Sequence, residues 1–250
     1  MVPRMPAKLY VIHGSHPCAA VERALTLKGI DFKKVEYPPP LHFPIQRLRF
    51  GARTVPSIAF DDGEKLSGSR RIIHRLEELA PEPPLFPADP ALRARVEEAE
   101  SWGDEVFQPI ARRLLWPAFA RNPRAMAGYQ EGGRNPALPE PVLVAMAPVV
   151  TRIERRMNGA TDEASRADLQ ALPGHLDRID AWIADGVLGG DAANAADLQI
   201  ATTLRLMLTL DDVRPLIEGR PAAALAMRLF PEHPGRVPAG TIPAEWLPAA

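Results

Sequence analysis

The apolar positions change period along the chain, and each change marks an element. Residues 8–13 (KLYVIH) form a short run of β-branched and aromatic side chains, which predicts a strand. From Cys18 the spacing becomes helical through Val21, Ala24, Leu25 and Lys28, with Gly29 placed to stop the helix. Residues 31–37 (DFKKVEY) alternate, predicting a second strand that Pro38, Pro39 and Pro40 terminate. One or two helical turns fit residues 45–50. Residues 57–60 then read as a strand, Asp62-Gly63 as a hairpin turn, and residues 64–67 as the returning strand. A helix with Ile72, Ile73, Leu76 and Leu79 on one face follows, with Ser69 as its predicted N-cap. The order is βαβαββα. A helix between the first two strands implies that they are parallel, and the closing hairpin adds antiparallel strands.

Beyond residue 90 the strand signal vanishes. Leu92, Val96, Ala99, Gly103, Val106, Ile110 and Leu114 make one apolar stripe, predicting a single helix of roughly seven turns that ends before Pro117. Residues 122–141 are rich in Pro, Gly and Asn and read as irregular. Helices are predicted over 142–157 and 164–184, the second kinked or broken at Pro173. Asn194 and Asp197 have the spacing of a reciprocal cap at the start of a further helix through Leu198, Ala201, Leu204 and Leu208. A last helix is expected over 221–230, then a Pro-rich tail folded back with Trp246 docked.

Composition narrows the function classes. The 250 residues carry a net charge of −1 and no dense basic run, which argues against nucleic-acid or anionic-membrane binding through bulk charge. Cys18 is the single cysteine, so an intramolecular disulfide and a cysteine-based zinc site are both excluded, and no metal is expected. No apolar run reaches the length of a membrane span and no signal-peptide pattern follows Met1, so the expected location is the cytoplasm.

The stretch Thr54-Val55-Pro56-Ser57-Ile58, followed by Asp62-Gly63 and by Ser67-Gly68-Ser69 at a helix start, resembles the glutathione site of cytosolic glutathione transferases. The Pro-rich connector and the Asn194–Asp197 helix match the same family in order. The resemblance implies a thioredoxin-like domain over residues 1–80, a linker over 81–90, and an all-helical substrate domain over 91–250. It implies a cis proline at Pro56, which turns the Val55 N–H and C=O toward a tripeptide bound as an added strand. Glutathione, as co-substrate, would lie on Arg53, Thr54, Val55, Pro56, Gly68 and Ser69. Ser15, at the turn into the first helix, takes the position whose hydroxyl supports the glutathione thiolate. Cys18 holds the fourth position of the same tetrad. His13 and His16 read as turn or surface histidines, and Arg70 as a second candidate for a ligand carboxylate.

Conjugation of glutathione to a small electrophile, in a homodimer, is the implied activity. The electrophile's pocket would take Phe107, Ala111, Trp116 and Phe119. A glutathione-dependent thiol oxidoreductase using Cys18, or a non-catalytic binding module, are the alternatives. Gly68 departs from the family pattern, which commonly has an acidic residue or Gln there to meet the ligand's amino group.

Overall fold

The computed structural model describes residues 7–37 and 42–248, so the predicted break at Pro38, Pro39 and Pro40 lies outside the described residues. Strands β1 (Ala7–Val11), β2 (Phe32–Glu36), β3 (Ser57–Phe60) and β4 (Lys65–Ser67) form one sheet in the order β2-β1-β3-β4. β1 and β2 are parallel and are joined through α1 (His16–Leu27). β3 runs antiparallel to both β1 and β4. α2 (His42–Phe50) precedes β3, and α3 (Ser69–Leu79) follows β4. This is the thioredoxin-like arrangement that the periodicities predict. Its core joins Leu9, Val11 and Ile58 of the sheet to Val21 and Leu25 of α1 and to Ile72, Ile73 and Leu76 of α3. Helical spacing puts those positions on one side of each helix.

Lys28 also falls on the inward side of α1, and its side chain is fully buried. Its ammonium group pairs with Glu77 of α3 and donates to the Pro83 carbonyl at 2.7 Å. Glu77 in turn accepts the Leu85 N–H at 2.9 Å. One buried ion pair therefore ties the end of α1, the end of α3 and the connector together.

The helical half comprises α4 (Pro90–Trp102), α5 (Gln108–Arg121), α6 (Glu140–Asn158), α7 (Asp162–Ala184), α8 (Ala195–Met207), α9 (Arg214–Ile217) and α10 (Pro221–Leu229). Two local expectations are corrected here, and at Pro173, of the two outcomes expected, the break is ruled out. The long stripe is not one regular helix, because a π-helical turn over Gly103–Phe107 separates α4 from α5. α5 does not stop at Pro117 but passes through it to Arg121. Proline removes the donor that Arg113 C=O would have met in the helix, and the Ser165 hydroxyl of α7 donates to that oxygen instead, at 2.7 Å. α7 likewise runs unbroken through Pro173.

α8 is buried around almost its whole circumference and packs on α1, α4, α5 and α10. Its start is a complete capping box: Asn194 accepts the Asp197 N–H at 3.0 Å and Asp197 accepts the Asn194 N–H at 2.9 Å. Asp197 also takes the Gly189 N–H, so this buried carboxylate organises the turn that enters the helix. The tail returns across α5 and α7. The Arg121 guanidinium lies 4.4 Å from the centre of the Trp246 ring, and Gln170 donates to the Trp246 carbonyl at 3.0 Å.

Candidate functional site

Three segments meet at one end of the sheet. The first is the turn from β1 into α1. Ser15 is the N-cap residue of α1 with extended backbone, its hydroxyl makes no capping bond, and its N–H donates to Ile12 C=O at 3.2 Å. The second is the approach to β3, where the Val55–Pro56 peptide is cis. β1 and β3 pair Tyr10 with Ser57, and continuing that register brings Val55 alongside Ile12. Among the described residues the Val55 N–H and C=O take part in no hydrogen bond. Arg53 and Thr54, just before it, are exposed. The third is the head of α3, tied to the second by a Gly68 N–H to Pro56 C=O bond of 3.0 Å.

At that head Gly68, not Ser69, is the N-cap residue, and Ser69 is the first residue inside the helix. Gly68 has φ of 95°, a backbone conformation that side chains disfavour. The family's acidic residue or Gln is thus replaced by one suited to this turn. Ser69 is buried, and its hydroxyl faces the helical half. Its Oγ lies 3.2 Å from the Gln199 amide of α8 and donates to Asp104 at 3.4 Å, while Gln108 donates to it at 3.4 Å. Burial pushes the Asp104 carboxyl above its usual range, offset in part by the Ser69 hydroxyl. One turn along α5, Arg112 donates to Gln108 Oε1 at 3.0 Å. Sequence reading does not reach Asp104, Gln108, Arg112 or Gln199. The π-helical turn that aims Asp104 is the structural signal for them, since such turns recur at functional sites.

Cys18 lies on the buried side of α1, and burial pushes its thiol up to about 12, opposed by a hydrogen bond with the neighbouring Ser15 hydroxyl. Both its burial and the raised pKa disfavour the thiolate, the nucleophile that the oxidoreductase alternative needs. His16 is not a surface histidine. It is buried, and desolvation followed by the nearby Arg112 charge holds it well below its usual pKa, so it is neutral. His13 Nε2 is 2.6 Å from the Glu131 carbonyl oxygen. Arg70 is committed to Glu100 at 3.1 Å.

Phe107 stacks on Trp102 at 5.1 Å within the helical core, and Ala111 is buried. Trp116 meets Phe119 edge-on at 5.6 Å, and Phe119 meets Tyr129 at 4.9 Å. Tyr129 and Pro234 pack directly over Gly14, so the turn that carries Ser15 is roofed by the segment after α5 and by the tail. Among the described residues there is no group of three His, Cys, Asp or Glu placed to hold a metal ion.

Comparison with known proteins fits this layout. Residues 9–84 match the family model for the glutathione S-transferase N-terminal domain. The maleylacetoacetate isomerase of Pseudomonas aeruginosa is 34% identical over 101 residues, covering 35% of this chain and 44% of that protein. The match therefore spans less than half the length of that relative. A glutathione S-transferase from Rhodospirillum rubrum F11 superposes with a TM-score of 0.56 at 21% identity, covering 94% of this chain and 98% of that one. A maleylacetoacetate isomerase from Anaeromyxobacter dehalogenans 2CP-1, solved with glutathione in its active site, gives 0.55 at 21% identity and 90% coverage of each chain. The chain has the glutathione-transferase fold, and the family resemblance read from its motifs is that of its N-terminal domain.

Proposed function

We propose that the protein is a glutathione-dependent enzyme that brings the glutathione thiolate to a small electrophile. The observation that carries this reading is the unbonded Val55 backbone beside the Ser15 turn and the head of α3. An extended tripeptide can pair with Val55 as an added strand. Its carboxylate then meets the unpaired N–H groups of the first turn of α3. Arg53 and Thr54 border that path. The Ser69 hydroxyl, already bonded across to Asp104 and Gln199, holds the α3 head in place. Ser15 donates its hydroxyl hydrogen to the thiolate, lowering the thiol pKa and raising the nucleophile concentration at neutral pH.

Two outcomes follow from thiolate addition to an activated carbon. If the adduct leaves, the reaction is conjugation. If the thiolate adds to a conjugated double bond, the bond rotates and the thiolate is expelled, the reaction is isomerisation. The 34% identical isomerase relative favours including the second. Titration calorimetry with reduced glutathione, beside turnover of a chloronitrobenzene and of a cis-dienoate, tests the proposal. Saturable binding is expected, with Ser15→Ala lowering kcat by about 100-fold and changing KM little, as for loss of one donor to the reacting atom. No binding at millimolar glutathione by two independent methods sinks the reading and leaves the non-catalytic module.

The working unit is proposed to be a homodimer. Val142, Met146, Val149, Ile153 and Met157 are exposed along one side of α6. Val142 and Met157, and likewise Met146 and Ile153, lie equally far from a point between Val149 and Val150, so an antiparallel second copy sets Val142 against Met157 and Met146 against Ile153. Contiguous exposed apolar side chains of this kind mark interaction surfaces.

A further inference from the structure

The end of α8, helices α9 and α10 and the tail line a cleft of about 420 Å³. That lies within the roughly 300–1,000 Å³ of small-molecule sites. Its lining combines charged and apolar groups: Arg205, Arg214, Arg220, Arg236 and Glu218 with Leu208, Ala223 and Met227.

The arginines are unequally paired. Arg220 is held by Asp180 at 2.7 Å and by Asp177, neither of which lines the cleft. Arg205 donates only to main-chain carbonyls, Phe230 at 2.9 Å and Pro231 at 3.2 Å, and among the described residues has no carboxylate partner. Arg214 approaches Asp211 and Glu218 only at 3.5 and 3.4 Å, and its buried Nε has no hydrogen-bond partner. Arg236 gives Nε to Asp211 at 2.6 Å and is otherwise largely exposed. Desolvation and the like charge of Arg214 lower the Arg205 pKa, as expected of a positive charge short of compensation. Arg214 and Arg236 thus share Asp211 and Glu218, Arg220 has two carboxylates of its own, and Arg205 alone has none.

We infer that this cleft binds a small amphiphilic carboxylate, with its head on Arg205, Arg214 and Arg236 and its apolar body on Ala223 and Met227. A carboxylate gives Arg205 the anionic partner it lacks, and the planar guanidinium fork matches a carboxylate in two-point contact. The apolar lining selects a ligand with a hydrocarbon body over a bare inorganic anion.

The test is calorimetric titration of the full chain with sodium octanoate, with inorganic phosphate as the head-only probe and 1-octanol as the body-only probe. Octanoate is expected to saturate one site at roughly millimolar concentration or below, weakening as salt rises, with the other two probes much weaker. Arg236→Gln and Met227→Glu change exposed side chains, so folding should survive, which circular dichroism checks. Each is expected to weaken octanoate binding by about tenfold or more. Ser15→Ala should bind octanoate as the unaltered protein does. Octanoate that fails to saturate, phosphate that binds as tightly, or affinity unchanged in both folded variants overturns the assignment.

Discussion

Lys28→Met removes a buried cation while keeping much of the side-chain volume. What remains is Glu77, largely buried beside it, and the Pro83 carbonyl without its donor. Breaking a buried pair by deleting one partner costs about 3–5 kcal/mol, because the surviving charge is left uncompensated. In a chain of this size each kcal/mol moves Tm by roughly 2–4 °C, so a fall of about 10 °C is expected. The double variant Lys28→Met/Glu77→Leu removes the stranded charge as well. It loses the Glu77 bond to the Leu85 N–H, a cost of about 1–3 kcal/mol for one unmet buried donor. The double variant should therefore be more stable than Lys28→Met alone. Urea denaturation monitored by tryptophan fluorescence and by circular dichroism measures both, and coincident transitions confirm a single cooperative unit. A Lys28→Met cost below about 1 kcal/mol, or a double-variant cost equal to the sum of the singles, would mean that Lys28 and Glu77 are not a coupled buried pair.

Glu154 of α6 is buried, and that burial raises its carboxyl from 4.5 to about 7, opposed by Asn158 and Arg112. The folded state then holds a proton that the unfolded chain releases, so the contribution is full below pH 4.5 and is lost as pH rises through about 7. Glu154→Gln should flatten the fall in stability between pH 5 and pH 8 by about 2–3 kcal/mol, read from urea midpoints across that range. Gly235 has φ of 82°, and a Cβ there would come within 2.3 Å of the Tyr129 ring. Gly235→Ala should displace the tail from Tyr129, speeding limited proteolysis after residue 230 while leaving the urea midpoint of the core nearly unchanged. Equal cleavage rates would show that the tail is not held there. Val149→Glu, in the middle of the α6 stripe, should shift the protein from dimer to monomer in sedimentation at micromolar concentration. An unchanged mass means that α6 is not the contact.

The sequence alone determined what local chemistry controls. Alternation and 3.6 spacing set most strands and helices, because burying one side of an element demands those periods. Asn194 and Asp197 announced their reciprocal cap through a three-residue spacing that is itself the geometry of the bond. The turn at Val55-Pro56 and the helix start at Ser69 could be read because backbone requirements act over a few residues. Tertiary structure decided what depends on partners far along the chain. Pro117 stays inside a helix because Ser165, 48 positions away, replaces the missing bond. Lys28 occupies an inward position because Glu77 and the connector meet it there. Ser69 turns its hydroxyl into the helical half because the π-helical turn presents Asp104 and α8 presents Gln199. The Cys18 thiol favours its protonated form for the same kind of reason. A thiol's reactivity is set by the desolvation and charge that other elements impose, and no local pattern encodes those.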